Sequence, residues 1–232
     1  MGRWRTSTVH FRDRADAGRR LAEVVAKVPL ERPVVLALPR GGVPVGAEVA
    51  DALGAPLDVL VVRKIGARGQ PELAVGAVAE GGEVVLDRAS VAATPPAELD
   101  AAIDRQRDEV VRRVQRYRGG RPMVDVQDAD VVVVDDGLAT GLTAEAAVRM
   151  LADAGARRVV FAAPVCARAS VPRLRRWCEV ACVAEPSPFG AVGAFYDDFT
   201  QVPDEEVVRI LHERGGSPPT DQVPPTDQDP SV

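Results

Sequence analysis

The chain has 232 residues, enough for one large α/β domain or two small ones, and its 46% hydrophobic and 27% charged residues exclude a wholly disordered chain. The net charge of −5 argues against a dedicated nucleic-acid binder, which normally carries a basic field, and no apolar run approaches the ~20 residues of a membrane helix. Three cysteines are too few for a disulfide framework and no apolar leader opens the sequence, so we expect a cytoplasmic protein.

Short apolar runs alternate along the chain with amphipathic stretches, a pattern that indicates strands alternating with helices. Glycines such as Gly54, Gly119 and Gly155 follow the helical stretches and mark their ends. Because the strands are short and apolar throughout, they predict a doubly wound, mainly parallel α/β sheet with helices on both faces. In chain order the predicted elements are a helix at 15–28, a strand at 33–38, a helix at 45–53, a strand at 57–62, a hairpin formed by 73–79 and 83–86, a helix at 96–117, a strand at 130–134, a helix at 143–154, a strand at 158–163, a helix at 170–177, a strand at 180–184 and a helix at 204–212 that Asp204 caps.

The chain ends in a segment, residues 214–232, that is rich in proline and contains the sequence PPTDQ twice. It has almost no large apolar side chains, so it cannot bury enough surface to offset the entropy of ordering. We therefore predict one domain over residues 1–213, followed by a disordered tail.

The strongest motif follows a strand of four valines and reads Asp135, Asp136, Gly137, Leu138, Ala139, Thr140, Gly141, Leu142, Thr143. Ligands of open α/β sheets sit at the carboxyl ends of strands, and the free N–H groups at a helix N-terminus suit a phosphate. Two carboxylates suit vicinal hydroxyls, which donate to them, or a divalent cation. The loop therefore carries groups for a phosphate and a ribose; a strand–turn–helix junction with chance acids is the alternative.

A second glycine-containing loop, Arg40-Gly41-Gly42, follows the first predicted strand and opens a helix. Its glycines allow the backbone to approach a ligand closely, and Arg40 adds charge-assisted hydrogen bonds to an anion. A surface turn is the alternative interpretation of so short a motif.

A third loop, residues 62–73, follows the second predicted strand and reaches the same edge of the sheet. It contains Arg63, Lys64 and Glu72 and leads into the predicted hairpin. Such a basic loop is typical of a mobile flap over a reacting centre, and a solvated basic loop is the alternative.

Most of the chain's few aromatic residues fall in a late segment, residues 186–199, after the last predicted strand. Phe189, Phe195 and Tyr196 are available there to stack on a ring, an interaction worth about 1–3 kcal/mol per base. A hydrophobic loop packed on the core explains the same composition.

Together these motifs resemble those of the type I phosphoribosyltransferases. The run from Val131 to Thr143 is similar to their motif for 5-phosphoribosyl 1-diphosphate (PRPP), and Arg40-Gly41-Gly42 is similar to their pyrophosphate loop. From Phe11 to about Leu211 the chain looks like a branch of that superfamily described only as predicted phosphoribosyltransferase. The resemblance implies the fold, which has a small hood that includes residues 186–200 and, separately, a flap hairpin. It also implies that PRPP is the donor, but it does not imply which acceptor is used.

The resemblance also implies a role for each residue of the motifs. The expected site comprises Asp135 and Asp136 for the ribose hydroxyls; Gly137, Leu138, Ala139, Thr140, Gly141, Leu142 and Thr143 for the 5′-phosphate; Arg40, Gly41, Gly42, Arg63 and Lys64 for pyrophosphate; Lys64, Arg40 and Glu72 for catalysis; and Phe189, Phe195 and Tyr196 for the acceptor.

The implied reaction is transfer of the phosphoribosyl group from PRPP to a nucleobase-like nitrogenous acceptor, with release of pyrophosphate. Mg²⁺ is expected to bind mainly through PRPP, with no direct protein ligand and with Asp135 and Asp136 reaching the ion through water. The expected partners are PRPP and a small-molecule acceptor, without nucleic acid or membrane, and a homodimer is left open.

Two questions stay open from the sequence. A non-catalytic sensor of PRPP or a nucleotide on the same fold is the alternative function; it would keep Asp135 and Asp136 but would not need Arg40 or Lys64. The acceptor is also open, since Ala139 stands where hypoxanthine-type enzymes have an aspartate that handles a base proton.

Overall fold

The computed structural model describes residues 9–67, 70–87, 91–92 and 94–214. Its helices are α1 (Arg14–Val25), α2 (Gly42–Leu53), α3 (Pro96–Arg118), α4 (Leu142–Asp153), α5 (Val171–Leu174) and α6 (Asp204–Glu213). Its strands are β1 (Pro33–Ala37), β2 (Leu57–Val59), β3 (Val62–Ala67), β4 (Gln70–Ala79), β5 (Val84–Leu86), β6 (Asp130–Val134), β7 (Arg158–Val165) and β8 (Glu179–Ala184). The predicted tail lies outside the described residues from position 215 onward, so its disorder stays a prediction.

Five strands form a parallel sheet in the order β2-β1-β6-β7-β8. β6 lies inside this sheet, and all of its residues are buried because helices cover both faces. Successive side chains of a strand point to opposite faces. Val132 and Val134 accordingly join the core that includes α1, α2 and α6, whereas Val131 and Val133 join the core that includes α4. The predicted doubly wound parallel sheet is confirmed.

The direction of the strand order reverses between β1 and β6. β2 lies on one side of β1, whereas β7 and β8 follow β6 on the other side. At such a switch point the loops that leave the two strands diverge, and a crevice opens between them. The crevice lies beyond Ala37 and Val134, the last residues of β1 and β6, where the sequence places two of its motifs.

The apolar run predicted as one strand at 57–62 belongs to two strands. Leu57–Val59 is β2 of the parallel sheet, whereas Val62 begins β3 of a second, antiparallel sheet ordered β3-β4-β5. Leu60 and Val61 connect the two sheets and are fully buried, so no polar residue marks the break. The predicted hairpin is confirmed as β4 and β5, and the pairing of β3 with β4 is an addition to it.

Several helix ends and one cap differ from the prediction, and α1 ends at Val25 rather than at residue 28. α2 begins at Gly42, because Pro44 is tolerated in the first turn of a helix. α5 ends at Leu174 after a single turn. Asp204 does not cap α6: Pro203 holds that position, and the Asp204 carboxylate instead accepts a hydrogen bond from the Tyr117 hydroxyl at 2.5 Å.

The helix α3 joins the second sheet to the rest of the domain. It packs on β3, β4 and α6, and it ends where Gly119 adopts the left-handed conformation, with φ +58°. At this end Arg118 forms a buried ion pair with Glu80, at 2.7 Å. Within the described ranges, neither α3 nor any other helix combines the length and the apolar character needed to cross a bilayer.

Asp130, at the start of β6, is fully buried in a network of donors. Its carboxylate accepts hydrogen bonds from the N–H of Glu31 at 2.7 Å and from Arg157 at 3.0 and 2.6 Å. Burial alone would raise the pKa of Asp130, but the hydrogen bonds from Glu31 and Arg157 outweigh it and lower the pKa.

We expect Asp130→Asn to lower the free energy of unfolding at pH 7 by about 1–3 kcal/mol. The NH₂ group of the new amide would face the N–H of Glu31 and the guanidinium of Arg157, which are themselves donors. The folded-state pKa of the wild-type carboxyl lies below its unfolded value, so its stabilising effect is present above the unfolded pKa and is lost as pH falls through the folded pKa. Urea unfolding of both proteins at neutral and acidic pH measures the difference. A gap that stays constant into acid contradicts this account.

Candidate functional site

A cleft of about 370 Å³ opens at the carboxyl ends of β1 and β6. Its walls come from the loops after these strands, from β3, from α1 and from the late aromatic segment. The lining residues are Arg14, Pro39, Arg40, Gly41, Lys64, Asp135, Asp136, Gly137, Leu138, Ala139, Thr140, Gly141, Thr143, Val192 and Phe199. The fold therefore brings the acid pair, the loop into α4, the Arg-Gly-Gly loop and Lys64 to one place.

Hydrogen bonds to the last residue of β7 and to the chain that follows it fix the loop between β6 and α4. The N–H of Leu138 donates to the carbonyl of Val165 at 2.8 Å, and the carbonyl of Leu138 accepts from the N–H of Ala167 at 2.7 Å. The Ser170 hydroxyl donates to the carbonyl of Ala139. These bonds engage the N–H of Leu138 and the carbonyl groups of Leu138 and Ala139, and they hold the loop in shape.

The N–H groups at the end of the same loop, where it enters α4, are available to a ligand. Gly141 has a φ of +80°, a conformation that glycine adopts without strain, and the chain turns there into α4. The N–H groups of residues 139–143 have no hydrogen-bond partner among the described residues, and the side chains of Ala139 and Thr140 are exposed. Free donors at the positive end of a helix form a site for an anion such as phosphate.

The glycines of the Arg40-Gly41-Gly42 loop allow it to lie directly against the acid pair. A Cβ atom on Gly41 would stand 1.9 Å from Oδ2 of Asp136, and one on Gly42 would stand 2.5 Å from the carbonyl oxygen of Val134. The two glycines are therefore required by contact with the protein itself, in addition to any approach to a ligand.

Asp135 and Asp136 place two carboxylates together with little solvent around them. Burial raises the pKa of Asp135 well above its usual range, and the charge of Asp136 raises it further. Burial also raises the pKa of Asp136, against the charge and hydrogen bond of Arg14, which lower it. The pair holds protons more tightly than exposed acids do, so hydroxyl donors or a cation would stabilise its ionised form.

Arg14 is a site residue that the sequence reasoning did not identify. Its Nε donates to Oδ2 of Asp136 at 2.9 Å, its Nη1 donates to the carbonyl of Thr200 at 2.8 Å, and its guanidinium lies 4.0 Å from the centre of the Phe199 ring. The Tyr196 hydroxyl donates to the carbonyl of Asp136 at 2.7 Å. No local pattern could reveal this pair, since 122 positions separate Arg14 from Asp136.

Lys64 and Arg40 bring positive charge to the cleft. Lys64 is exposed on β3, and its charge opposes the rise in pKa of both Asp135 and Asp136. Arg40 lines the cleft and has its Nη1 3.8 Å from a carboxylate oxygen of Asp204. An anion held between the two loops would meet both cations.

Among the residues predicted for the phosphate and the pyrophosphate, Gly42, Leu142 and Arg63 do not line the cleft. Arg63 is the neighbour of Lys64 on β3 and turns towards α3, where its Nε donates to Gln106 at 3.3 Å. It lines an adjacent cavity instead. The side chain of Glu72 lies outside the described part of the structure, so its role stays a prediction.

The aromatic residues of the predicted hood pack mainly on one another. Phe195 and Tyr196 are buried; the ring centres of Phe195 and Phe189 lie 5.5 Å apart, and those of Tyr196 and Phe11 lie 5.4 Å apart. None of Phe189, Phe195 and Tyr196 lines the cleft, whereas Phe199 does. Tyr196 supports the acid pair through its hydrogen bond to the carbonyl of Asp136, and the contact of these rings with an acceptor stays a prediction.

The acid pair has the chemistry that Mg²⁺ prefers, since its ligands are hard carboxylate oxygens. No cluster of three or more histidine, cysteine, aspartate or glutamate residues able to hold a metal occurs among the described residues. Two acids fit an ion that is held largely by water and by a phosphate-bearing ligand.

Comparison with known proteins identifies the family of the chain. The model of the phosphoribosyl transferase domain matches residues 11–198. Two proteins of Mycobacterium tuberculosis, from strains CDC 1551 / Oshkosh and ATCC 25618 / H37Rv, each named "putative phosphoribosyl transferase", are 48% identical over 204 residues, covering 87% of this chain and 46% of their own length. The chain thus spans just under half the length of these curated relatives.

Solved structures share the fold. The crystal structure of TT1426 from Thermus thermophilus is 50% identical, covers 90% of this chain and 100% of its own, and superposes with a TM-score of 0.77. A hypothetical protein from Neisseria gonorrhoeae, solved with ppGpp bound, is 14% identical, covers 88% of this chain and 96% of its own, and has a TM-score of 0.50. At that identity the second likeness concerns the fold alone.

We expect Asp135→Asn to stabilise the ligand-free protein while it abolishes affinity for PRPP, the ligand that the motifs imply. The substitution removes a buried charge beside Asp136, and the free energy of unfolding at pH 7 should rise by about 1 kcal/mol or more. The wild-type pKa is raised on folding, so the wild-type penalty is absent below the unfolded pKa and grows as pH rises through the folded pKa. The gain in stability of Asp135→Asn should therefore be absent at acidic pH and should grow as the pH rises through the folded-state pKa of Asp135.

Thermal unfolding across pH, together with calorimetric titration of Mg-PRPP, tests this pair of opposite effects. A variant that loses stability at every pH would show that Asp135 has a structural role, and a variant that keeps full PRPP affinity would remove it from the ribose site.

We expect Arg14→Ala to weaken PRPP binding by about tenfold or more, the scale of one charge-assisted hydrogen bond, because Asp136 loses the group that orients it. Arg14→Lys should recover only part of the affinity, since an ammonium cannot reproduce the planar fork between Asp136 and Thr200. Arg12→Ala, an exposed arginine of the same segment, is the matched control and should bind PRPP normally. Equal affinity of the two alanine variants would contradict the role of Arg14.

Proposed function

The chain belongs to the phosphoribosyl transferase family, and on that premise we propose that it transfers the 5-phosphoribosyl group of PRPP to a nitrogenous acceptor with release of pyrophosphate. The observation that carries the proposal is a single cleft that joins a carboxylate pair to a helix N-terminus with unpaired backbone donors. Few ligands other than a sugar phosphate need both sets of groups.

PRPP would span the cleft with each of its three parts against one motif. The 5′-phosphate would accept hydrogen bonds from the N–H groups of residues 139–143 at the start of α4. The ribose hydroxyls would donate to Asp135 and Asp136. The pyrophosphate would face the Arg40-Gly41-Gly42 loop and Lys64, which bring the cations of the cleft.

The transfer needs no nucleophile from the protein. The bond from C1 of the ribose to the pyrophosphate oxygen breaks, the acceptor nitrogen bonds to C1, and that nitrogen loses its proton to water. Positive charge develops on the ribose beside Asp135 and Asp136, while negative charge grows on pyrophosphate beside Lys64 and Arg40. Bound Mg²⁺ would add positive charge to the pyrophosphate and would be held mainly by its oxygens and by water.

A non-catalytic sensor of PRPP would use the same acid pair and the same phosphate loop. It would have no use for cations directed at a departing group. Lys64 and Arg40 line the cleft together with the acid pair, and this favours the enzyme.

The deciding experiment is a screen of nucleobases and amines with Mg-PRPP that follows pyrophosphate release. Turnover that is lost in Asp135→Asn supports the transferase. PRPP binding without pyrophosphate release from any acceptor would favour the sensor, and an absence of PRPP binding would contradict both.

We expect Lys64→Ala to lower kcat by about 10²-fold with much less effect on PRPP affinity, the scale of one donor that acts mainly in the transition state. Lys64→Arg should rescue the rate in part, because a planar fork does not replace a compact point charge. Lys27→Ala, which changes the only other lysine and lies exposed after α1, is the matched control. Normal turnover of Lys64→Ala on the acceptor that the screen identifies would make Lys64 a solvated residue of β3 without a role in the reaction.

A further inference from the structure

Arg40 lies between the cleft and a carboxylate outside it. Its Nη1 is 3.8 Å from Oδ1 of Asp204, the first residue of α6, which does not line the cleft. At that distance the two groups attract each other as charges but form no hydrogen bond. Among the described residues, the Arg40 guanidinium has Asp204 as an ion-pair partner and makes no hydrogen bond, so its donors are available to an anion in the cleft.

The Asp204 carboxylate is engaged more closely by two donors from α3. The Tyr117 hydroxyl donates at 2.5 Å to Oδ1, the oxygen nearest to Arg40. Nη1 of Arg116 lies 3.0 Å from Oδ2. Each carboxylate oxygen therefore has one close donor from α3, and Arg40 is left with the longest of the three contacts.

Tyr117 is fixed where it meets Asp204. Its side chain is buried, and the two residues that follow it are constrained, since Arg118 forms the buried ion pair with Glu80 and Gly119 ends the helix. Burial and the hydrogen bond to Asp204 raise the pKa of Tyr117 to about 12. The hydroxyl therefore keeps its proton at neutral pH and remains a donor to the carboxylate.

Asp204 and an anion in the cleft compete for the same guanidinium. A carboxylate oxygen with no other close donor forms a short, charge-assisted hydrogen bond with an arginine. Such a bond from Arg40 would draw its guanidinium towards α6 and would have to break before the arginine could bind an anion. The Tyr117 hydroxyl occupies the oxygen that would accept this bond.

We infer that Tyr117 and Asp204 are positioning residues that set how strongly Arg40 binds pyrophosphate. The charge of Asp204 keeps the guanidinium beside the cleft, and the Tyr117 hydroxyl prevents the carboxylate from capturing it. The inference rests on the proposed function, since it takes pyrophosphate as the anion that Arg40 meets. Neither residue lines the cleft, so both act through Arg40 rather than on the reacting atoms.

The first test compares two single variants. Tyr117→Phe leaves Oδ1 of Asp204 free to bond Arg40, so calorimetric titration of inorganic pyrophosphate with Mg²⁺ should show about tenfold weaker binding than in the wild type, the scale of one charge-assisted hydrogen bond. Asp204→Asn removes the competing charge and should bind pyrophosphate at least as tightly as the wild type. If the bond only joined α3 to α6, the two substitutions would change the affinity in the same direction.

The second test is a double-mutant cycle. In an Asp204→Asn background, Tyr117→Phe should change pyrophosphate affinity by less than about twofold, because the competing carboxylate is gone. In an Arg40→Met background, Tyr117→Phe should likewise have no further effect. A tenfold loss that persists in either background would overturn the inference, since the hydroxyl would then act without Asp204 or without Arg40.

Glu205→Gln is the matched control. Glu205 follows Asp204 on α6 and pairs with Arg116 at 2.7 Å, but its side chain is 77% exposed, and its loss of charge should leave pyrophosphate affinity unchanged. Arg116→Gln gives a second route if Tyr117→Phe does not fold, because it frees the other oxygen of Asp204. It should weaken pyrophosphate binding several-fold in the wild type and by less than about twofold in Asp204→Asn.

The failure of this inference can be told from that of the proposed function. A wild-type protein that binds PRPP and pyrophosphate but turns over no acceptor contradicts the transferase, and the variants still decide the inference through pyrophosphate affinity. A wild-type protein with turnover whose pyrophosphate affinity is the same in Tyr117→Phe keeps the function and overturns the inference. Absence of pyrophosphate binding to the wild type also overturns it.

Discussion

The structure around the cleft depends on two carboxylates that lie together at the end of a buried strand. Asp135 and Asp136 leave β6 where solvent is scarce, and both have raised pKa values as a result. A protein that only had to fold would gain by removing one of them. A ligand that supplies hydroxyl donors or a cation would recover the free energy that the pair costs the free protein.

Much of the surrounding structure serves to hold this pair in place. Gly41 and Gly42 bring the loop after β1 into van der Waals contact with the strand end. Arg14 crosses from α1 to Asp136 and is itself covered by Phe199. Three segments that are remote in sequence therefore meet on one acid pair, and the preorganisation of the ribose site depends on all of them.

The sequence predicted the features that local patterns encode. The valines of β6 and the loop that follows it indicated a central strand and a phosphate site, because periodicity and a helix start are local properties. The split at Leu60 and Val61 escaped prediction, since burial in two sheets leaves an unbroken apolar run. Arg14 and the cavity beside Arg63 also escaped it, because both arise only when distant elements pack together.

The late aromatic segment, residues 186–199, also shows what cannot be predicted from composition alone. Its composition marked a cluster of aromatic rings, yet composition does not tell a ring that stacks on a ligand from one that stacks on a neighbouring residue. Tyr196 faces Phe11 and bonds to the backbone of Asp136, so its contribution to the site is indirect. Only the tertiary arrangement separates the two possibilities.

The connection between the two sheets has a consequence for how relatives of this protein diverge. The chain leaves the parallel sheet at Leu60 and Val61 and completes β3, β4, β5 and α3 before it returns. Apart from Pro39, the walls of the cavity beside Arg63 therefore belong to one stretch of the chain that ends near Arg118. The donor groups, apart from Lys64, lie outside that stretch. Exchange of this stretch as a block would also exchange Lys64, so a change in the walls of that cavity is tied to a change in one of the two cations of the cleft.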